Sequence, residues 1–150
     1  MVIAIDLSKD GYRVIAIVGA KEHVLKNRDF DRATTWVRHF REIGSDRKKR
    51  YLSTLPRRFK KIKQFLELSR ICFDVPCAQS YVYRYRPLVI LVDDKLFNNI
   101  DYPRKVRESK IKEHHRKRLM YLADNLANYF RIVLKDNPRI LIDELKEFEK

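Results

Sequence analysis

Residues 2–7 and 12–20 are two mainly apolar runs rich in β-branched side chains, each interrupted by a single charged residue. Ser8-Lys9-Asp10-Gly11 joins them, and an Asp-Gly step between two such runs predicts a β-hairpin. A third short strand is expected near residues 22–26. From 29 to 43, Phe30, Ala33, Trp36, Val37 and Phe40 recur at helical spacing and predict a helix. Residues 44–54 are charged and turn-like. Thr54 and Pro56 then mark the start of a second helix reaching about Ser69, with Phe59, Ile62, Phe65, Leu66 and Leu68 as its apolar stripe.

Residues 71–75 read as a short strand. Residues 78–86 stay open between strand and helix, because Tyr81, Tyr83 and Tyr85 alternate in a short segment. Leu88-Val89-Ile90-Leu91-Val92 is continuously apolar, the pattern of a strand buried on both faces, and it ends in Asp93-Asp94. A last short strand is expected at 105–109. Residues 111–134 predict the longest helix, its stripe formed by Leu119, Leu122, Ala123, Leu126, Ala127 and Phe130. Asn137-Pro138 opens a C-terminal helix over about 137–150, burying Ile140, Leu141, Leu145 and Phe148. Strands interleaved with helices predict an α/β fold, one domain over 1–150.

Charge changes the picture most. With 34 Lys and Arg against 20 Asp and Glu, the formal net charge is +14, which favours a polyanionic partner, nucleic acid before an anionic membrane. No apolar run approaches the roughly 20 residues that cross a bilayer, so no membrane partner is expected. The N-terminal run lacks the charged and long apolar regions of a signal peptide, and a cytoplasmic location is expected. Cys72 and Cys77, without a second pair or a His pair, are not a structural zinc site and read as two partly buried thiols. Three Gly and 36% charged residues are the pattern of short connections and surface ion pairs found in heat-adapted proteins.

Three motifs carry a resemblance. Ala4-Ile5-Asp6-Leu7-Ser8 resembles the first-strand aspartate motif of the ribonuclease H-like fold, and Ile90-Leu91-Val92-Asp93-Asp94 resembles its acid-tipped strand. Glu108-Ser109-Lys110 with Leu119-Met120-Tyr121-Leu122-Ala123-Asp124 resembles the signature of one ribonuclease H-like family, catalogued as domain of unknown function three thousand eight hundred. The likeness runs from about Val2 to Phe130 and includes Gly19 in the second strand. Members open with Asp-Glu-Ser, where this chain has Asp6-Leu7-Ser8. The resemblance implies a mixed sheet flanked by helices, with the acid-tipped strand beside the first.

Cleaving a phosphodiester with two hard cations requires carboxylates converging from different elements. Asp6, Asp93 and Asp124 are the catalytic and metal-ligating candidates, with Asp94 and Glu108 as further ligands and Mg²⁺ or Mn²⁺ as the expected cofactor. Taken singly, each acid is more simply a turn, cap or solvated residue; their order along the chain is what unites them. Arg47, Lys48, Lys49, Arg50, Arg57, Arg58, Lys60 and Lys61 form one basic stretch, and Lys110, Arg116 and Lys117 belong to a second. Both are candidates for phosphate contact. Tyr81, Tyr83 and Tyr85 are core aromatics or stacking platforms for bases, and His114-His115 are solvated imidazoles or a proton carrier. Three function classes follow: a metal-dependent nuclease, a non-catalytic nucleic-acid-binding module on the same fold, and a protein-interaction domain.

Overall fold

The computed structural model describes all 150 residues. Five strands form one mixed sheet in the order β3-β2-β1-β4-β5: β1 Val2–Ser8, β2 Val14–Ala20, β3 Leu68–Cys72, β4 Val89–Val92 and β5 Lys105–Arg107. β1, β2 and β3 pair antiparallel in succession, whereas β4 lies parallel to β1 and β5 parallel to β4. The hairpin forms as predicted, with Gly11 at φ +86° in its turn, a backbone region that favours glycine.

Strand alternation sorts the core into two layers. Val2 and Ala4 of β1, Val14, Ala16 and Val18 of β2 and Val89 and Leu91 of β4 face helix α6 (His114–Asp136), which contributes Leu119, Leu122, Ala123, Leu126 and Phe130. Ile3, Ile5 and Leu7, Ile15 and Ile17, and Ile90 and Val92 face the other way, towards α5 (Val75–Tyr85) and its Ala78 and Val82. Both faces of the three central strands are therefore covered, as the unbroken apolar run of β4 requires.

Several local expectations are corrected. Residues 22–25 form a helical turn, α1 (Glu22–Leu25), where a strand was expected. The helix expected over 29–43 is only α2 (Arg28–Ala33), followed by turns and a 3₁₀ segment at Phe40–Glu42. Side chains end it: the Thr34 hydroxyl donates to the Phe30 carbonyl at 2.8 Å, Trp36 Nε1 to Ala33 at 2.9 Å and Arg38 Nη1 to Thr35 at 2.6 Å. These bonds take carbonyls that a continuing helix would use. The turn-like 44–54 segment contains α3 (Lys48–Ser53). α4 (Leu55–Lys63) stops well before Ser69, and Leu68 belongs to β3, where strand pairing to Gly19 outweighs its helical spacing.

The open segment is helical. Asp74 caps α5 by accepting from the Cys77 N–H at 2.8 Å, and Pro76 sits in the first turn. This geometry brings Cys77 back to the end of β3, with its Cα 5.8 Å from that of Cys72, and the two are joined in a disulfide. The expectation of two thiols is thus overturned. At the C-terminus α7 (Leu141–Phe148) packs Phe148 against Phe59, Tyr129 and Phe130, and the Tyr129 hydroxyl donates to Glu144 at 2.8 Å. No helix is long and apolar enough to cross a membrane.

Candidate functional site

Register and alternation assemble the acids. Ile5 pairs with Val92 and Val92 with Arg107, so the next residues along three neighbouring parallel strands, Asp6, Asp93 and Glu108, stand side by side. Asp6 follows Val2 and Ala4, Asp93 follows Val89 and Leu91, and Glu108 follows Val106 by even steps, placing all three on the α6 side of the sheet. Their carboxylates offer oxygens that all lie within 4.8 Å of one another. Asp124 reaches the same place from α6. Asp6, Asp93 and Asp124 are 3%, 9% and 7% exposed, so little water reaches the carboxylates except through a cavity of about 640 Å³ that all four acids line.

Each acid is held from a different direction. Asp93 accepts from the Leu7 and Lys95 N–H groups at 3.3 and 3.0 Å. Asp124 accepts from the Phe40 N–H at 2.6 Å and from Asn128 Nδ2, one helical turn on, at 3.1 Å. His39 stands between two acids, with Nε2 3.1 Å from Glu108 and Nδ1 3.6 Å from Asp124. Asp94, of opposite strand parity, points out to solvent and accepts from the Ser109 N–H at 3.2 Å, tying the ends of β4 and β5 together. The Ser109 contact holds its carboxyl below the ordinary value.

The electrostatics are those of an overcrowded carboxylate site. Burial, then the charges of Asp124, Asp93 and Glu108, push Asp6 well above the usual carboxylate range. Burial also raises Asp124, against the lowering effect of the Phe40 N–H and His39. The hydrogen bond to Glu108, opposed by burial and aided by the charges of Asp124 and Glu108, raises His39. No Lys or Arg forms an ion pair with Asp6, Asp93, Glu108 or Asp124; the one basic group against them is His39, a cation only when protonated. An all-oxygen donor set, buried and short of positive charge, fits a hard divalent cation, and Asp6, Asp93 and Glu108 can hold one.

All five sequence-predicted acids therefore line one cavity, and the three whose oxygens all lie within 4.8 Å of one another include Glu108, a secondary candidate, and not Asp124. His39 was missed: it falls in a segment whose spacing suggested helix, and nothing in its neighbours marks it. The other imidazoles lie elsewhere. His115 contacts Glu22 at 3.1 Å, and His114 accepts from Arg118 at 3.0 Å. The tyrosines belong to α5, on the face of the sheet away from the acids: Tyr81 and Tyr85 pack on the core there, and exposed Tyr83 bonds Asp101. A stacking role beside the acids is excluded for them.

Among the basic candidates, Arg47, Lys49, Arg50, Arg57 and Lys61 are exposed around α3 and α4. Lys48 lines the acidic cavity, its ammonium 4.9 Å from the Phe40 ring centre. Arg58 stacks over Trp36 and Lys60 pairs loosely with Glu147 at 3.9 Å. Lys110 and Lys117 are exposed near the cavity mouth or beside it, where Lys117 lines a smaller cavity of about 190 Å³ with Tyr121 and Arg41. Arg116 is corrected: its guanidinium is committed to Glu22 at 2.9 Å and to Glu113 at 3.7 Å. No protein-family model matches the chain, and no curated protein matches it significantly.

Proposed function

We propose that the chain is a ribonuclease H-like nucleic-acid-binding protein that hydrolyses phosphodiester bonds, with Mg²⁺ or Mn²⁺ held by Asp6, Asp93, Glu108 and Asp124. The observation that carries this reading is the convergence of three carboxylates from adjacent parallel strand ends, joined by a fourth from the covering helix. The acid-tipped β4 lies directly beside β1, the arrangement the resemblance implies. The departure at Leu7 leaves the cluster untouched, because that side chain faces α5.

Cations bound there would lower the pKa of an attacking water and stabilise the leaving oxygen. The chain's own residues do the rest. The backbone N–H groups of Leu7, Lys95 and Phe40 aim the carboxylates, and His39 ties Glu108 to Asp124. Around them Lys9, Arg41, Lys48, Lys95 and Arg131, from four separate parts of the chain, line the cavity. They supply the positive rim that a phosphate backbone needs to approach buried acids.

The test is cleavage of labelled single- and double-stranded DNA and RNA with Mn²⁺ or Mg²⁺. Wild type should cleave at least one of these, and Asp6→Asn and Asp93→Asn should each lose at least about a hundredfold in rate, the scale of a removed electrostatic contact to the reacting centre. Salt-sensitive binding without cleavage would instead leave a binding module, and neither cleavage nor binding would overturn the nucleic-acid reading.

A further inference from the structure

Beside Asp6 and Asp124 lies a neutral pair, Ser8 and Asn128, drawn from the same strand and the same helix. Ser8 is two residues along β1 from Asp6 and so emerges on the same side of the sheet. Asn128 and Arg131 are four and seven residues beyond Asp124, on the same face of α6. The Ser8 hydroxyl donates to Asn128 Oδ1 at 3.2 Å and accepts from Arg131 Nε at 2.8 Å. Arg131 Nη2 also reaches Asn128 Oδ1, at 3.3 Å, while Asn128 Nδ2 holds the Asp124 carboxylate. The guanidinium is thereby fixed in one orientation by uncharged partners.

Its charge has no protein counterpart. Of the other half-buried arginines, Arg70, Arg116 and Arg118 meet Glu149, Glu22 and Asp31, and Arg58 and Arg107 stack over the rings of Trp36 and Phe97. Arg131 forms no ion pair, its Nη1 has no protein acceptor, and it lines the acidic cavity. A planar fork held in place and left uncompensated beside a divalent-cation site matches the two non-bridging oxygens of a phosphodiester. An arginine serving only the fold would be expected to meet an acid or an aromatic ring, as these five do, and Arg131 meets neither although several acids stand across the cavity.

We propose that Arg131 is a phosphate-binding residue that grips one backbone phosphate of the nucleic-acid strand entering the acid cavity, with Ser8 and Asn128 as the residues that orient it. The inference rests on the nucleic-acid reading given above. It assigns a ligand to a place on α6 that lies outside both basic stretches of the sequence, and it makes Asn128 a shared support of the metal ligand Asp124 and the phosphate ligand Arg131.

The experiment is binding of a labelled oligonucleotide across a salt series, with wild type, Arg131→Gln and Arg131→Lys compared at equal thermal stability. Arg131→Gln should weaken binding roughly tenfold, and the slope of log affinity against log salt should fall by about 0.7 for a single strand or 0.9 for a duplex, the signature of one lost phosphate contact. Arg131→Lys should keep the slope while binding more weakly, because the charge survives and the fork does not. If Arg131→Gln fails to fold, weaker binding by Arg131→Lys supports the assignment and unchanged binding overturns it. Wild-type affinity and slope in folded Arg131→Gln overturn the Arg131 assignment alone; a wild type that binds no oligonucleotide overturns it together with the functional reading.

Discussion

Asp6 is the residue on which the account bears hardest. Its carboxyl is 3% exposed, is crowded by three other acids and has no Lys or Arg partner. Without a cation, ionising it is unfavourable, so the folded chain holds its proton more tightly than the unfolded chain does. Stability without divalent cations should therefore rise as pH falls from neutral through the raised pKa of Asp6, reaching its full gain below 3.8. His39 acts in the same direction: its raised pKa makes its contacts with Glu108 and Asp124 fully stabilising below 6.5 and weaker as pH rises through the folded value. Asp6→Asn removes a group that must either be buried charged or take up a proton on folding. At pH 7.5 in EDTA it should raise Tm by about 2–4 °C, the effect of about 1 kcal/mol in a chain of this size, and flatten the pH dependence. An unchanged or lowered Tm, read by calorimetry, would contradict the crowding argument.

At the scale of elements, legibility followed the strength of each local pattern. The hairpin, β4 and α6 were visible because an Asp-Gly step between β-branched runs, an unbroken apolar run and a long apolar stripe each favour one structure. Asp93 was conspicuous at the tip of such a run. Residues 29–43 misled because apolar spacing is blind to hydroxyl and indole groups that take helix carbonyls, and that error concealed His39. The alternating tyrosines obscured α5, whose Ala78, Val82 and Tyr85 face the sheet at helical spacing. Strand register, which groups Glu108 with Asp6 and Asp93, is a long-range property without a local signal.

Arg116 illustrates a second limit, since a basic run does not reveal which of its members are already paired. Burial alone would raise Glu22, but hydrogen bonds from Arg116 and His115 and their charges outweigh it and hold the carboxyl below its ordinary value. This contact fastens α1 to α6, and its contribution is present above 4.5 and lost as pH falls through the lowered pKa. Glu22→Gln should lower stability at pH 7 by about 1 kcal/mol, with the deficit shrinking at acid pH, in urea titrations. A deficit that grew on acidification would contradict the pairing.

For the whole molecule, the sheet does two jobs that α6 joins. One face buries the apolar layer, and at the strand ends the same face exposes acids to a cavity rimmed by Lys and Arg. On the proposed function, a net charge of +14 surrounding a local concentration of carboxylates would draw in a polyanion and a divalent cation together. The cation requirement can be measured without knowing the substrate. Mn²⁺ should bind the wild-type protein saturably at pH 7.5 in a calorimetric titration, with protons released as Asp6 ionises. Asp93→Asn should bind at least roughly tenfold more weakly while remaining folded. Equal binding by wild type and Asp93→Asn, or no binding by wild type up to millimolar Mn²⁺, would contradict the claim that these acids form a metal site.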